Sequence, residues 1–282
     1  MKSTSSGTKP NKKAALATAM EAAHAAGKLM RKNLASVKKV NETTAHDIKL
    51  ELDVRCQKTI ERILFASHPQ TSMLGEEGVA GNSSAPWRWV VDPIDGTVNF
   101  TYGIPHACVS IALQELAPTA ASPAAGEFPP DSEFETVLGV VYDPFLDEMW
   151  SAVRGGSGRL NGRKIVVSQR RVLGEAIVAM GFAKYETTLA KMLPVFNELV
   201  HRVRKIRLLG AAALSMVWVA GGRMDVYQEY GLRLWDIAAG GLIVEAAGGE
   251  FWRRPIEGSH AYEMIASNGR LRPALEKLGK RT

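Results

Sequence analysis

Cysteine is scarce: the 282 residues hold two, Cys56 and Cys108. Two thiols cannot build a disulfide framework. They fit a reducing compartment, with both as small buried apolar residues, so a cytoplasmic protein is expected. Long apolar runs are missing too. No stretch of about 18 uncharged apolar residues occurs, so no membrane-spanning helix and no membrane partner are expected. Residues 1–10 are polar and basic, without the apolar core of a signal peptide, and read as a flexible basic tail. The six histidines include no His-x-x-x-His pair, which argues against an imidazole metal site. Neither a Gly-x-x-x-x-Gly-Lys phosphate loop nor a Gly-x-Ser-x-Gly elbow is present. Gly155, Gly156 and Gly158 are not followed by a helix and a ribose-binding acid, so they read as turn glycines. Excess acid is also absent. The net charge is +6, with much of the excess at the two ends of the chain. A modest basic excess suits an anionic substrate, and a solvated surface explains it equally well.

Helix and strand signals alternate along the rest of the chain. The Ala-rich stretch from about Pro10 to Leu34 predicts a helix ending near Asn33, and a second helix should run from about Asp53 to Ala66. Apolar or β-branched runs predict strands at 71–74, 87–91, 108–113, 137–142, 148–153, 165–167, 176–180 and 224–227, and another from Phe251. Helical spacing appears at 189–203, with Pro194 placed in the first turn, at 211–220, and at 237–247, where Gly248 and Gly249 end it. Residues 117–134 carry Pro118, Pro123, Pro129 and Pro130 among Ala, Ser and Gly, and read as an inserted loop. The expected organisation is an N-terminal lobe, 11–153, and a C-terminal lobe, 154–282, each mixing helices and strands.

The strongest chemical signal is Val90-Val91-Asp92-Pro93-Ile94-Asp95-Gly96-Thr97. Two carboxylates follow a buried strand. Pro93 fixes one backbone angle between them and Gly96 permits a tight turn, so both acids can face one spot. Acids that close resist ionising together unless a cation sits between them. A hard divalent cation with oxygen ligands, Mg²⁺ above all, meets that need. Gly96, Thr97 and Asn99 can begin a helix whose free N–H groups suit a phosphate. Gly75-Glu76-Glu77-Gly78 offers two further acids after an apolar run, although adjacent glutamates are common on surfaces. Asp236, within Leu234-Trp235-Asp236-Ile237, is either a helix N-cap or a ligand arriving from the far end of the chain. Asp53 has the same capping alternative at the start of its helix. Glu245 reads as a surface or paired acid.

These residues together resemble the inositol monophosphatase family. Asp92-Pro93-Ile94-Asp95-Gly96-Thr97-Val98-Asn99-Phe100 looks like its first signature, and Trp235-Asp236-Ile237-Ala238-Ala239-Gly240 looks like its second. Gly75-Glu76-Glu77 is similar to its metal-site glutamate segment. The resemblance covers roughly residues 12 to 275, and three motifs in one order are far more specific than any alone. It implies an α+β fold, a layered α-β-α-β-α sandwich. It implies two to three Mg²⁺ ions, held by Glu76, Asp92, the carbonyl of Ile94, Asp95 and Asp236. It further implies catalytic roles for Glu76, Thr97 and Asp53, with Asp53 orienting the Thr97 hydroxyl. The substrate would be a small phosphorylated polyol, contacted by Asp95, Gly96, Thr97, Gly210, Ala211, Ala212, Glu229 and Asp236. A homodimer is expected on the same ground.

The chain departs from the family pattern in places. Leu50 stands where a Thr is frequent, and Ala211 replaces a common Ser or Thr. Arg233 sits beside the implied alcohol pocket, where it could favour a more acidic substrate. Val98-Asn99 favours inositol monophosphate over nucleotide substrates such as 3′-phosphoadenosine 5′-phosphate. Histidinol phosphate and fructose 1,6-bisphosphate are the related alternatives. From a different class, the basic ends allow a non-catalytic binding protein for nucleic acid, but the full set of implied ligands speaks against one.

Overall fold

A computed structural model describes residues 10–36, 40–43, 48–117, 130–182 and 185–279. The tail before Pro10 and most of the Pro/Ala-rich insertion lie outside these residues. Helix α1 (Lys12–Asn33) starts where the Asn11 side chain accepts from the backbone N–H groups of Lys13 and Ala14. Strands β1 (Val40–Thr43) and β2 (Ile48–Leu50) pair ahead of helix α2 (Glu51–Ser67). Next come β3 (Ser72–Gly75), β4 (Gly78–Gly81), β5 (Trp87–Asp95), the short helix α3 (Thr97–Thr101), β6 (Cys108–Leu116), β7 (Phe134–Asp143), β8 (Glu148–Val153), β9 (Arg159–Leu160) and β10 (Arg163–Lys164). Their eight strands form one sheet in the order β10-β9-β8-β7-β6-β5-β3-β4, antiparallel apart from the β3–β5 pair.

The remainder comprises β11 (Ile177–Phe182), α4 (Glu186–Val200), β12 (Lys205–Arg207), α5 (Ala212–Ala220), β13 (Val226–Leu232), α6 (Leu234–Ala246), β14 (Glu250–Pro255), β15 (Tyr262–Ser267) and α7 (Arg272–Gly279). Its strands make a second sheet in the order β12-β11-β13-β15-β14.

Side-chain alternation stacks these pieces into five layers. Trp89 and Val91 of β5 join Ile111, Leu113, Val140 and Tyr142 against α1 and α2. Val90, one residue out of phase, joins Ala112, Val141 and Trp150 on the opposite face, against α5 and α6. The second sheet closes the far side of those helices through Ala179, Tyr227, Met264 and Ala266. Its outer face, with Val178, Met180 and Val226, carries α4 and α7. The architecture is therefore the α-β-α-β-α sandwich expected above. Because α5 and α6 lie between two sheets they are apolar all round, as buried helices must be. Both faces of β5 are covered, so all nine of its residues are buried.

Two expectations fail for local reasons. Residues 165–167 are not a strand. The N–H of Ile165 donates to Gly158 and that of Val167 to Ala247, so this backbone is satisfied by a loop and the end of α6, not by a ladder. Pro194 lies in the middle of α4, not in its first turn. The helix is already under way when the N–H of Leu189 donates to Tyr185, upstream of the apolar periodicity. Glu245 is paired, as one of its two readings had it, with Arg154 at 3.3 Å.

The position of α6 depends on Gly139 of β7. A Cβ there would lie 2.7 Å from the Ala239 carbonyl oxygen and 3.0 Å from its Cα. These are backbone atoms that cannot rotate aside. Gly139→Ala should therefore cost about 1–3 kcal/mol through overpacking, read as a lower urea midpoint with an unchanged m-value.

Candidate active site

The parallel pairing of β3 with β5 brings the first acids together. Gly75 lies level with Val91, and the N–H of Glu76 donates to the Val91 carbonyl at 3.1 Å, so Glu76 leaves β3 beside Asp92. Burial and the charge of Glu76 hold the Asp92 carboxyl well above the usual carboxylate range. Two carboxylates this close resist ionising together in the absence of a cation.

A bulge aligns Asp92 with Asp95. Residues three apart in a regular strand point to opposite faces. Here the register slips: Asp92 faces Ser110 and Asp95 faces Cys108, so one extra residue sits on β5. The slip restores parity and turns both acids toward α5 and α6. Pro93 fits there because a bulge leaves a residue without a ladder partner, and Asp92 Oδ1 accepts from the N–H of Ile94 at 3.0 Å across it.

Asp95 crosses to the second half of the chain. Its Oδ1 accepts from the N–H of Ala212 at 2.9 Å, and its Oδ2 from Ala213 at 2.8 Å and Leu214 at 3.3 Å. The residue at the N-cap of α5 is Ala211, which has no side-chain oxygen. Asp95 supplies the missing cap from 117 residues away. The Cys108 thiol donates to the same Oδ2 at 3.4 Å. Asp236 lies in the first turn of α6, where its Oδ2 accepts from the N–H of Arg233 at 2.7 Å. The Ser110 hydroxyl donates to the Trp235 carbonyl and ties this helix start to β6.

Thr97 and Asn99 build the neighbouring turn. Gly96 adopts φ +91°, and a Cβ there would lie 3.0 Å from the His106 carbonyl oxygen and 3.1 Å from the Ala211 Cβ. The Thr97 hydroxyl donates to the Ile94 carbonyl at 2.9 Å. Asn99 donates to the carbonyls of His106 and Leu209, which fixes the Gly210 turn against α3. Asp53, buried at the start of α2, accepts from the N–H of Leu50 at 2.7 Å, and its charge acts on Glu76. Glu229 of β13 accepts from the Tyr227 hydroxyl and lies against Gly181.

Glu76, Asp92, Ile94, Asp95, Gly96, Thr97, Gly210, Ala211, Ala212, Glu229 and Asp236 thus line one cleft of about 280 Å³. Asp53 stands behind it. Val98, Gly181, Phe182 and Leu232 complete the wall, and the motifs gave no signal for these last three. Nor did spacing point to Cys108, whose contact with Asp95 exists only once β5 and β6 are side by side, or to Tyr227, whose hydroxyl reaches Glu229 two residues along β13.

Five carboxylates line this cleft, and among the described residues no Lys, Arg or His does. Burial raises all five, and neighbouring charges add to it at Glu76, Asp92, Asp236 and Glu229. For Glu76 the neighbours are Asp236 and Asp53; for Asp92 they are Glu76 and Asp95. Burial also raises Asp95, against the pull of the α5 N–H groups. Burial and the charge of Asp95 push Asp236 up to about 8, and burial pushes Glu229 up to about 7 against the Tyr227 hydroxyl. Such a donor set suits a hard divalent cation. Among the described residues, no three acidic, imidazole or thiol side chains close on a single point as they stand. The Asp95 and Asp236 oxygens are turned to helix N–H groups, and each ionised carboxylate keeps further lone pairs for a ligand.

Known proteins are similar to this chain in sequence and fold. The profile of the inositol monophosphatase family matches residues 11–126 and 131–274. Nus factor SuhB of Pseudomonas aeruginosa is 36% identical over 239 residues, covering 82% of each chain. Inositol monophosphatase 1 of Solanum lycopersicum is 33% identical over 241 residues, covering 83% of this chain and 82% of its own. The crystal structure of the extragenic suppressor protein suhB from Bartonella henselae superposes with a TM-score of 0.81 at 32% identity, covering 94% of this chain and 98% of that one. Fold and cleft define a layered α+β protein with an acidic site between its sheets. The chain belongs to the inositol monophosphatase family, and membership supports a phosphatase hydrolase.

The raised carboxyls set a pH dependence. Unfolded Asp and Glu titrate near about 3.9 and 4.3. Folded Asp236 and Glu229 hold their protons to about 8 and about 7, so the folded state binds protons that the unfolded state has lost. Stability of the cation-free protein must then fall as pH rises across that window. In EDTA, the urea midpoint should drop between pH 5 and pH 8, and Asp236→Asn should flatten the decline.

Proposed function

We propose that the protein is a Mg²⁺-dependent phosphomonoesterase that hydrolyses inositol monophosphate to inositol and phosphate. The observation that carries this reading is a cleft lined by five carboxylates and, among the described residues, no basic side chain, beside the Gly96–Thr97 turn. A phosphate dianion enters such a cleft only with cations already in it. Two to three Mg²⁺ ions would be held by Glu76, Asp92, the Ile94 carbonyl, Asp95 and Asp236. When bound, they acidify a water and neutralise phosphate oxygens.

The chain's own groups supply the rest. Glu76 and Thr97 orient the attacking water; Asp53 acts on Glu76 through its charge, and would position Thr97 once that hydroxyl turns from the Ile94 carbonyl. The backbone N–H groups of Gly96 and Thr97 hold phosphate oxygens. Asp95, Asp236, Glu229 and the Gly210-Ala211-Ala212 turn orient the alcohol. A bond forms from the water oxygen to phosphorus as the bond to the alcohol oxygen breaks in line, and the leaving alkoxide takes a proton from water. No covalent enzyme intermediate is required. A homodimer in the cytoplasm is part of the same reading, supported by family membership and by two free cysteines.

The test is phosphate release with and without Mg²⁺ from inositol 1-phosphate, histidinol phosphate, fructose 1,6-bisphosphate and 3′-phosphoadenosine 5′-phosphate. Strong Mg²⁺-dependent release from the first supports the proposal. Preference for another ester keeps the chemistry and changes the substrate. No release from any would favour a binding protein on this scaffold, a reading raised by the Nus factor names of several relatives. Asp95→Asn should lower turnover on the order of 100-fold or more, the loss typical of one preorganised electrostatic group. It should remain folded by circular dichroism, since its amide oxygen still caps α5.

A further inference from the structure

We propose that Gln57 is a positioning residue for Mg²⁺ binding: its side-chain amide locks the turn between β3 and β4 and so holds Glu76 at the cleft. The inference rests on the phosphatase reading above and adds to it a residue that lies outside the cleft wall.

The turn that carries Glu76 has little support of its own. Gly75 pairs with Gly78, so Glu76 and Glu77 are the two residues that link the strands. Both keep negative φ, and the left-handed step falls on Gly78 at φ +128°. Two-residue hairpins fit best when the turn residues themselves take positive φ. Among the described residues β4 is the last strand of its sheet, and Gly78, Val79 and Gly81 are exposed. The glycines on either side bring no side chain to brace the turn.

Gln57 braces it from α2. Its Oε1 accepts from the N–H of Glu77 at 2.9 Å, and its Nε2 donates to the Gly78 carbonyl at 3.2 Å. A primary amide carries one acceptor and one donor group side by side, which is the pair this backbone presents. Contact is close: a Cβ on Gly75 would lie 2.3 Å from Gln57 Oε1 and 2.8 Å from Nε2, so only glycine admits the amide. On the other side, the N–H of Glu76 donates to the Val91 carbonyl at 3.1 Å. The backbone is therefore tied both at Glu76 and immediately after it. Gln57 is buried and lies one helical turn beyond Asp53, on the same face of α2. A neutral amide does this work without adding a sixth charge to five crowded acids. Outer contacts of this kind fix a ligand before the cation arrives, and losing them weakens metal binding.

Mg²⁺ binding by calorimetry without any ester, and the urea midpoint in EDTA, are compared in the wild type, Gln57→Met, Gln57→Asn and Ile60→Val. Met keeps the length of the side chain without its hydrogen bonds, and Asn holds its amide one methylene short of the turn. Ile60 is buried on the same helix and is the control for a loss of stability alone. Both Gln57 variants should weaken Mg²⁺ binding about tenfold. The Mg²⁺ concentration for half-maximal release from inositol 1-phosphate should rise with it, while KM for the ester at saturating Mg²⁺ stays within about twofold. Ile60→Val should lower the urea midpoint and leave Mg²⁺ binding unchanged. Unchanged Mg²⁺ binding in both Gln57 variants overturns the inference and leaves the phosphatase reading intact. An equal loss of Mg²⁺ binding in Ile60→Val does the same, since the effect would then be one of general stability. A wild type that binds no Mg²⁺ and releases no phosphate overturns both.

Discussion

Mutual repulsion among buried acids is the constraint around which the molecule is arranged. Glu76, Asp92, Asp95, Glu229 and Asp236 share one cleft, and among the described residues no basic side chain lines it to offset them. Their charge is managed by geometry instead. Asp95 lies on the N–H groups of α5, and Asp236 on an N–H at the start of α6. Helix N-termini carry partial positive charge, so two buried helices act as counter-ions for two of the acids. The remaining imbalance is what a divalent cation removes.

The layered fold follows from that need. For α5 and α6 to start at the cleft, both must run between the two sheets, and they are apolar on every side. Tight approach is then required. Gly139 lets β7 meet the Ala239 backbone, and a Cβ on Gly240 would strike Met216 of α5. Asp95 becomes both a site residue and a structural cap, which couples cleft chemistry to the packing of the middle layer. In this arrangement the Ala211 departure has a physical reading: an absent hydroxyl leaves the α5 N–H groups to Asp95.

Much of the fold was legible because the physics involved is local. The apolar period of α1 and its end at Asn33, the strand at 148–153 and the Pro/Gly turn after Val91 all depend on neighbouring residues alone. The failures have different causes. Pro194 reads as a helix start, yet α4 begins upstream at Glu186, where the N–H of Leu189 already donates to Tyr185. Residues 165–167 have strand-like composition, yet their N–H groups are taken by Gly158 and Ala247, the second a partner distant in the chain. The β5 bulge is the same kind of fact at the site: Asp92 and Asp95 stand three apart in any reading, and only the pairing with Ser110 and Cys108 decides that they share a face.

The sequence by itself determined the chemistry on offer: oxygen ligands, no imidazole or thiol cluster, a glycine turn beside two acids, and motifs that place the chain in its family. These are properties of residue type and short spacing, which survive whatever the chain does elsewhere. The tertiary structure decided which oxygens face one another, which acid caps which helix, and that the Cys108 thiol touches Asp95. Those outcomes rest on contacts such as Asp95 with Ala212, 117 residues apart, and no local pattern encodes a partner at that separation.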